Sequence, residues 1–170
     1  IDPGDSLGSY EWYWCVHFFA GDIQEALVGS RKSHQAGNRE PVMILFHSLV
    51  LASCDSIQEA IKIIDESVKT DSISAVGKLG QALGFALQSD GARTLNALTA
   101  DVRRTCKRDA GWSYTLGAIL VRAGDREEAF EWLENAVDRG FINYPFMLKD
   151  PFLKNRSEER SGGKEGRSRW

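Results

Sequence analysis

Apolar side chains along this chain fall in blocks parted by short polar turns, and within the blocks they recur every three or four positions. Between 57 and 69, Ile57, Ala60, Ile61, Ile64 and Val68 sit at i, i+3, i+4, i+7 and i+11, the single stripe of a helix that buries one face. Residues 8–20 and 41–53 are apolar nearly all round, which suits helices enclosed by neighbours. The blocks predict helix pairs: 8–20 with 23–36, whose Ile23, Ala26, Leu27 and Ser30 face inward, then 41–53 with 57–69 and 72–88 with 91–105. In the third pair Leu95, Leu98 and Val102 share a face. A fourth pair runs from Trp112 through Leu116-Gly117 to Ala129, Trp132, Leu133 and Ala136.

The polar residues between blocks read as start and stop signals. Gly21 ends the first helix, and Asp22 with Glu25 forms a capping-box-like start for the second. Pro41 suits a first turn. Asp55 with Gln58 and Asp125 with Glu128 repeat the cap pattern, Ser89-Asp90-Gly91 is a turn, and Gly140 is a left-handed terminator. Gly77, Gly80 and Gly84 weaken helix 72–88 by about 1 kcal/mol each against alanine, and their expected use is close helix approach.

The blocks also repeat. Ile-Gln-Glu-Ala stands at 23–26 and again at 57–60, 34 residues on, and Arg-Glu-Glu-Ala at 126–129 puts Ala129 two such steps plus one after Ala60. Thr94 occupies the intervening step. A fixed period of about 34 residues implies a stack of identical helical units. Leu116, Gly117, Gly124, Asp125, Ala129 and Ala136, with Gly21, Asp22 and Ala26, resemble the tetratricopeptide repeat (TPR) family over roughly residues 1–140. The second repeat keeps Ala60 but lacks the glycine at its turn, and the third keeps almost none of the pattern.

The resemblance implies an all-α superhelix, an α-α solenoid of about four TPR-like helix pairs (about 6–39, 40–73, 74–108 and 109–142) with a short capping helix. It implies a concave groove lined by the first helix of each pair: Glu11, Cys15 and Phe18; Leu45, Leu49 and Ala52; Leu79, Leu83 and Ala86; Tyr114, Ala118 and Val121. Family members that grip a terminal carboxylate carry Lys and Asn at such positions, so a carboxylate clamp is not expected. The groove suits an amphipathic helix or an apolar peptide of a protein partner. An exposed apolar groove also invites a homodimer, through the groove or the N-terminal face.

The expected role is a scaffolding or sensory part of a larger regulator. The alternatives are the non-catalytic repeat region of an enzyme such as a kinase or cyclase, or a self-assembling structural array. Ile1-Asp2-Pro3-Gly4-Asp5 reads like the end of a preceding repeat, and Tyr144, Lys149-Asp150-Pro151 and Phe152 resemble repeats that close larger bacterial signalling proteins. The chain is therefore expected to be a C-terminal piece of a longer protein.

Residues 141–153 are apolar and broken by two prolines. Asp150-Pro151 reads as the cap and first turn of a helix over 151–160, and Tyr144, Phe146, Met147, Phe152 and Leu153 are expected to pack on the end of the array, whose last pair needs a cover. Beyond Arg160 the Ser/Gly/Lys/Arg-rich composition cannot bury a core and predicts disorder.

Charge and chemistry narrow the classes further. Residues 154–170 hold six Lys/Arg and three Glu, for +3, which leaves 15 basic and 21 acidic groups, for −6, on residues 1–153. An acidic body is unsuited to nucleic acid, which needs clustered cations. No apolar run reaches the roughly 18 residues of a membrane span, and no basic segment with an apolar core opens the chain. Three scattered cysteines, Cys15, Cys54 and Cys106, with no C-x-x-C, suggest reduced thiols packed as small apolar groups in the cytoplasm rather than disulfides or a metal site. None of G-x-S-x-G, G-x-x-x-x-G-K-[ST], H-E-x-x-H or G-x-G-x-x-G occurs. No enzyme activity and no cofactor are expected.

Overall fold

The computed structural model describes residues 6–154, with side chains for residues 13–153. Its helices are α1 (Ser6–Ala20), α2 (Ile23–Gln35), α3 (Pro41–Ser53), α4 (Ile57–Val68), α5 (Ala75–Leu87), α6 (Gly91–Ala97), α7 (Ala100–Cys106), α8 (Ala110–Ala123), α9 (Arg126–Asp138), α10 (Tyr144–Lys149) and α11 (Pro151–Lys154). Among the described residues there is no strand. Neighbours in sequence pack as hairpins, α1 with α2, α3 with α4, α5 with α6 and α8 with α9. The hairpins stack in order through α2 on α3, α4 on α5, α3 on α5 and α5 on α8. Sequential pairs stacked in this way form an α-α solenoid.

The repeat in the sequence has a physical counterpart at two positions per hairpin. Ala26, Ala60, Thr94 and Ala129 are all essentially inaccessible, at 0, 0, 0 and 1%. A small side chain at each step lets the second helix lie close against its partners, where interiors pack at crystal density. Thr94 fits because its hydroxyl donates to the Asp90 carbonyl at 2.8 Å and so carries no unpaired polar group. The second position is the turn between the helices. Gly21, Asp55, Ser89 and Gly124 adopt φ of +80°, +57°, +61° and +96°. The hairpin needs a left-handed residue there, and Asp and Ser stand in where glycine is missing.

That turn corrects two expected caps. Asp55 ends α3 in the left-handed conformation, and Ser56 holds the N-cap position of α4. Asp22 makes no side-chain cap bond; its carboxylate lies 3.5 Å from His17 Nδ1 instead. Asp125 does cap, accepting from the Glu128 N–H at 3.1 Å, and Asp90 accepts from Arg93 N–H at 3.0 Å. Asp125→Ala is accordingly expected to cost about 1 kcal/mol and to lower the melting temperature by about 2–4 °C. Asp22→Ala should stay within about 0.5 kcal/mol, and parallel thermal scans of the two variants separate these outcomes.

The third hairpin departs from the pattern. Helix 91–105 is broken into α6 and α7 at Leu98 and Thr99, the latter with ψ of 164°. Thr99 is a β-branched, weak helix former, and Arg103 Nε donates to the freed Leu98 carbonyl at 2.9 Å. Leu98 and Val102 reach the core, while Leu95 is left 37% exposed. Helix α5 begins at Ala75, later than the expected 72, because Ser74 caps it by accepting from Gly77 N–H at 2.9 Å. The glycines of α5 differ in use. A Cβ on Gly84 would meet Ile64 of α4 at 3.2 Å and one on Gly77 would meet the Asp71 carbonyl at 2.2 Å, whereas Gly80 has nothing within 4 Å.

Candidate functional site

The first helices of the hairpins turn their apolar faces inward. Phe18, Leu45, Leu49, Leu83, Tyr114 and Ala118 are 6, 1, 5, 0, 4 and 3% exposed. Ala52, Leu79 and Ala86 are also buried, and Cys15 and Val121 are half-buried against the core. The side chain of Glu11 lies outside the described residues. Phe18, Leu49, Tyr114 and Ala118 come together around one space, joined by Phe19, Phe46 and Thr115. Leu45 and Leu83 instead sit in the core between helices.

This face is not an open groove, in contrast to the expectation from sequence. The space left in it is about 10 Å³, because Phe146 of α10, Phe152 of α11 and Asp150 between the two helices close it. The segment expected on the end of the array therefore lies across its inner face, against α1 and α8. An apolar surface of this kind needs cover, and the chain supplies it from its own downstream residues. Of the five residues expected to pack, Phe146 and Phe152 are buried, Met147 and Leu153 are partly buried, and Tyr144 is 53% exposed.

Rings and hydrogen bonds set the seating. The Phe146 ring stands 5.1 Å from Phe18, 5.5 Å from Phe19 and 5.6 Å from Tyr114, with the edge-on tilts that aromatic quadrupoles favour. Phe141 stacks on Tyr114 at 4.4 Å and 7°. Asn143 Nδ2 donates at 2.7 Å to the Phe19 carbonyl in the last turn of α1, where helix carbonyls lack intrahelical partners. Phe152, 7% exposed, borders with Pro151 a recess of about 70 Å³ whose other walls are Ala52, Asp55, Ile57, Leu87 and Arg122. Asp150, 5% exposed, accepts from the Tyr114 hydroxyl and, at 2.9 Å, from its own chain at Phe152 N–H. Pro151 follows as the first residue of α11. The rest of the expected helix 151–160, beyond Lys154, lies outside the described residues.

Burial raises the Asp150 carboxyl above its ordinary value, and the bonds from Tyr114 and Phe152 offset only part of that. Burial, then the Asp150 charge, pushes the Tyr114 phenol up. Tyr114→Phe leaves Asp150 with one donor and is expected to cost about 1–3 kcal/mol, read as a lower urea midpoint at unchanged m value. Asp150 was legible in the sequence as a cap; its pairing with Tyr114, 36 residues away, had no local signal. Phe19 and Phe46 were missed because in nearly all-apolar helices every face looks alike.

Other concavities offer less. A crevice of about 470 Å³ between α7 and α9 sets Arg103, Arg104 and Lys107 against Glu128, Glu131, Glu134 and Asp138. Its charges answer each other, as in the Arg103–Glu128 ion pair. Among the described residues no group of three His, Cys, Asp or Glu could hold a metal, and no helix is long and apolar enough to cross a membrane. The Cys106 thiol is pushed up to about 12 by burial and the nearby Asp109, so it behaves as a small apolar group.

The described helices form a stack of helical hairpins compatible with a tetratricopeptide-like repeat protein. Neither a protein-family model nor a curated protein matches the chain. Among solved structures, the crystal structure of MamA protein is similar at 18% identity, covering 95% of this chain and 97% of that one with a TM-score of 0.48.

Proposed function

We propose that this chain is a protein-interaction module of the tetratricopeptide type, without catalytic activity of its own, and a scaffolding or sensory part of a larger cytoplasmic regulator. One observation carries the reading: the inner face of α1, α3 and α8 takes up a short peptide segment through buried aromatic anchors. That is how helical repeat arrays hold partners, with side-chain pockets giving specificity along a rigid concave scaffold. The absence of a Lys/Asn pair at the inner positions points to apolar and aromatic recognition rather than capture of a terminal carboxylate.

Selection of displayed peptides on the full chain, followed by amide NMR spectra of the complex, tests it. Selected peptides should shift resonances of α1, α3 and α8. Failure to select any peptide, or shifts confined to other faces, overturns the reading.

A further inference from the structure

Residues 141–154 differ from the rest of the chain in how they are held. Helix α10 has 6 residues and the described part of α11 has 4, far below the roughly 12–15 at which an isolated helix becomes even marginal. Their conformation is therefore imposed by the surface beneath them. They add no hairpin to the stack, and their anchoring runs to α1 and α8. Gly140 precedes them at φ +97°, a left-handed turn in which the Gly140 N–H donates to the Val137 carbonyl and the Phe141 N–H to the Ala136 carbonyl, each at 2.9 Å, so the segment departs from a completed helix end. The segment is also two-faced in the manner of a docked peptide. Phe146 and Phe152 are 2 and 7% exposed, while Ile142, Leu148 and Tyr144 are 76, 75 and 53% exposed.

The hold has a built-in weakness. Asp150 is buried without a cation, on hydrogen bonds from Tyr114 and Phe152 alone among the described residues, and such bonds repay only part of the desolvation of a carboxylate. Removal of the segment would bare Phe18, Phe19, Phe46 and Tyr114 together, a contiguous aromatic patch that demands a replacement.

We propose that residues 141–154 are a resident pseudo-ligand that occludes the partner site, and that the partner is a peptide segment of the same chemistry: two phenylalanines six residues apart with an aspartate four after the first, F-x-x-x-D-x-F. This rests on the interaction-module reading above. The first phenylalanine takes the place of Phe146 between α1 and α8, the aspartate accepts from Tyr114, and the second phenylalanine takes the place of Phe152. Because the resident segment is tethered, it competes at high effective concentration, and the partner's apparent affinity is reduced by the fraction of molecules in which the face is open.

The probe is a labelled synthetic peptide with the sequence of residues 141–154, titrated into the full chain. Phe152→Ala removes one resident anchor and is expected to tighten peptide binding about tenfold over the native chain, in proportion to the open fraction. A peptide with alanine at the aspartate position should bind that variant more weakly, and a peptide with alanine at both phenylalanine positions should not bind. Hydrogen exchange at the amides of 144–153 should quicken when the peptide binds, because the resident segment is displaced. The same exchange measurement on the native chain at millimolar peptide needs no substitution and decides the matter even if Phe152→Ala does not fold. Unchanged protection at 144–153 in the peptide-saturated native chain, or a folded Phe152→Ala chain that binds no better, overturns the proposal. If selected peptides shift α1, α3 and α8 yet leave 144–153 protected, the module reading stands and this inference alone falls.

Discussion

Phe146→Ala is expected to lower the unfolding free energy by about 3–5 kcal/mol, the range for truncating a fully buried aromatic. The side chain is 2% exposed and touches Phe18, Phe19 and Tyr114 at once. It therefore closes the first hairpin onto the last, beside the Asn143–Phe19 bond that spans 124 residues of sequence. Leu148, two residues on and 75% exposed, supplies the comparison. Leu148→Ala should change stability by no more than about 0.5 kcal/mol. Urea unfolding of both variants reads the difference directly. A Phe146→Ala chain as stable as Leu148→Ala would mean that the segment is not seated on the inner face.

The second large effect is an acid-side loss of stability centred on His47. This residue of α3 is 3% exposed, stacks on His34 of α2 at 5.1 Å, and has a buried Nδ1 with no hydrogen-bond partner among the described residues. Burial, then the neighbouring His34, lowers it from 6.5 to about 4; Arg31 and Arg39 act in the same direction, and Glu59 opposes them. The folded chain keeps the imidazole neutral between those values while the unfolded chain protonates it. The unfolded state then binds more protons, so stability is full above about pH 6.5 and falls as pH drops toward about 4, by about 3 kcal/mol in all. His34, lowered by burial and Arg39, adds to the same trend.

Asp150 works the other way. Its raised carboxyl favours the neutral form in the fold, so that contribution is kept in acid and lost as pH rises through its folded value. The clean measurement is therefore a difference between native and His47→Leu chains, unfolded in urea at about pH 7 and about pH 4. The native chain should lose about 3 kcal/mol more than the variant over that interval. Equal losses would remove His47 as the cause.

The hairpin turns show how far local sequence reaches. Gly21 and Gly124 were legible as left-handed turns because glycine advertises that conformation. Asp55 and Ser89 adopt it too, but only closure of the hairpin imposes it on them, and Asp55 was accordingly expected to cap a helix. In the same way the run Leu95, Leu98 and Val102 implied one helix, and the break at Thr99 appeared only once α7 packed against α5 and α8. On the inner face, the helical stripe showed that Phe18, Leu49, Tyr114 and Ala118 belong to apolar surfaces. It did not show that Phe146 and Phe152 would lie on them.

By itself the sequence determined the hairpins, their order and their period, though not the break at Thr99, because these follow from side-chain spacing and small residues within one 34-residue step. The tertiary structure alone decided what covers the inner face. That choice turns on which distant segment excludes the most water from a common aromatic surface, and on Asp150 finding Tyr114 across 36 residues. Hydrophobic burial has no sequence direction, so periodicity marks the surface to be covered and leaves its occupant to the folded chain.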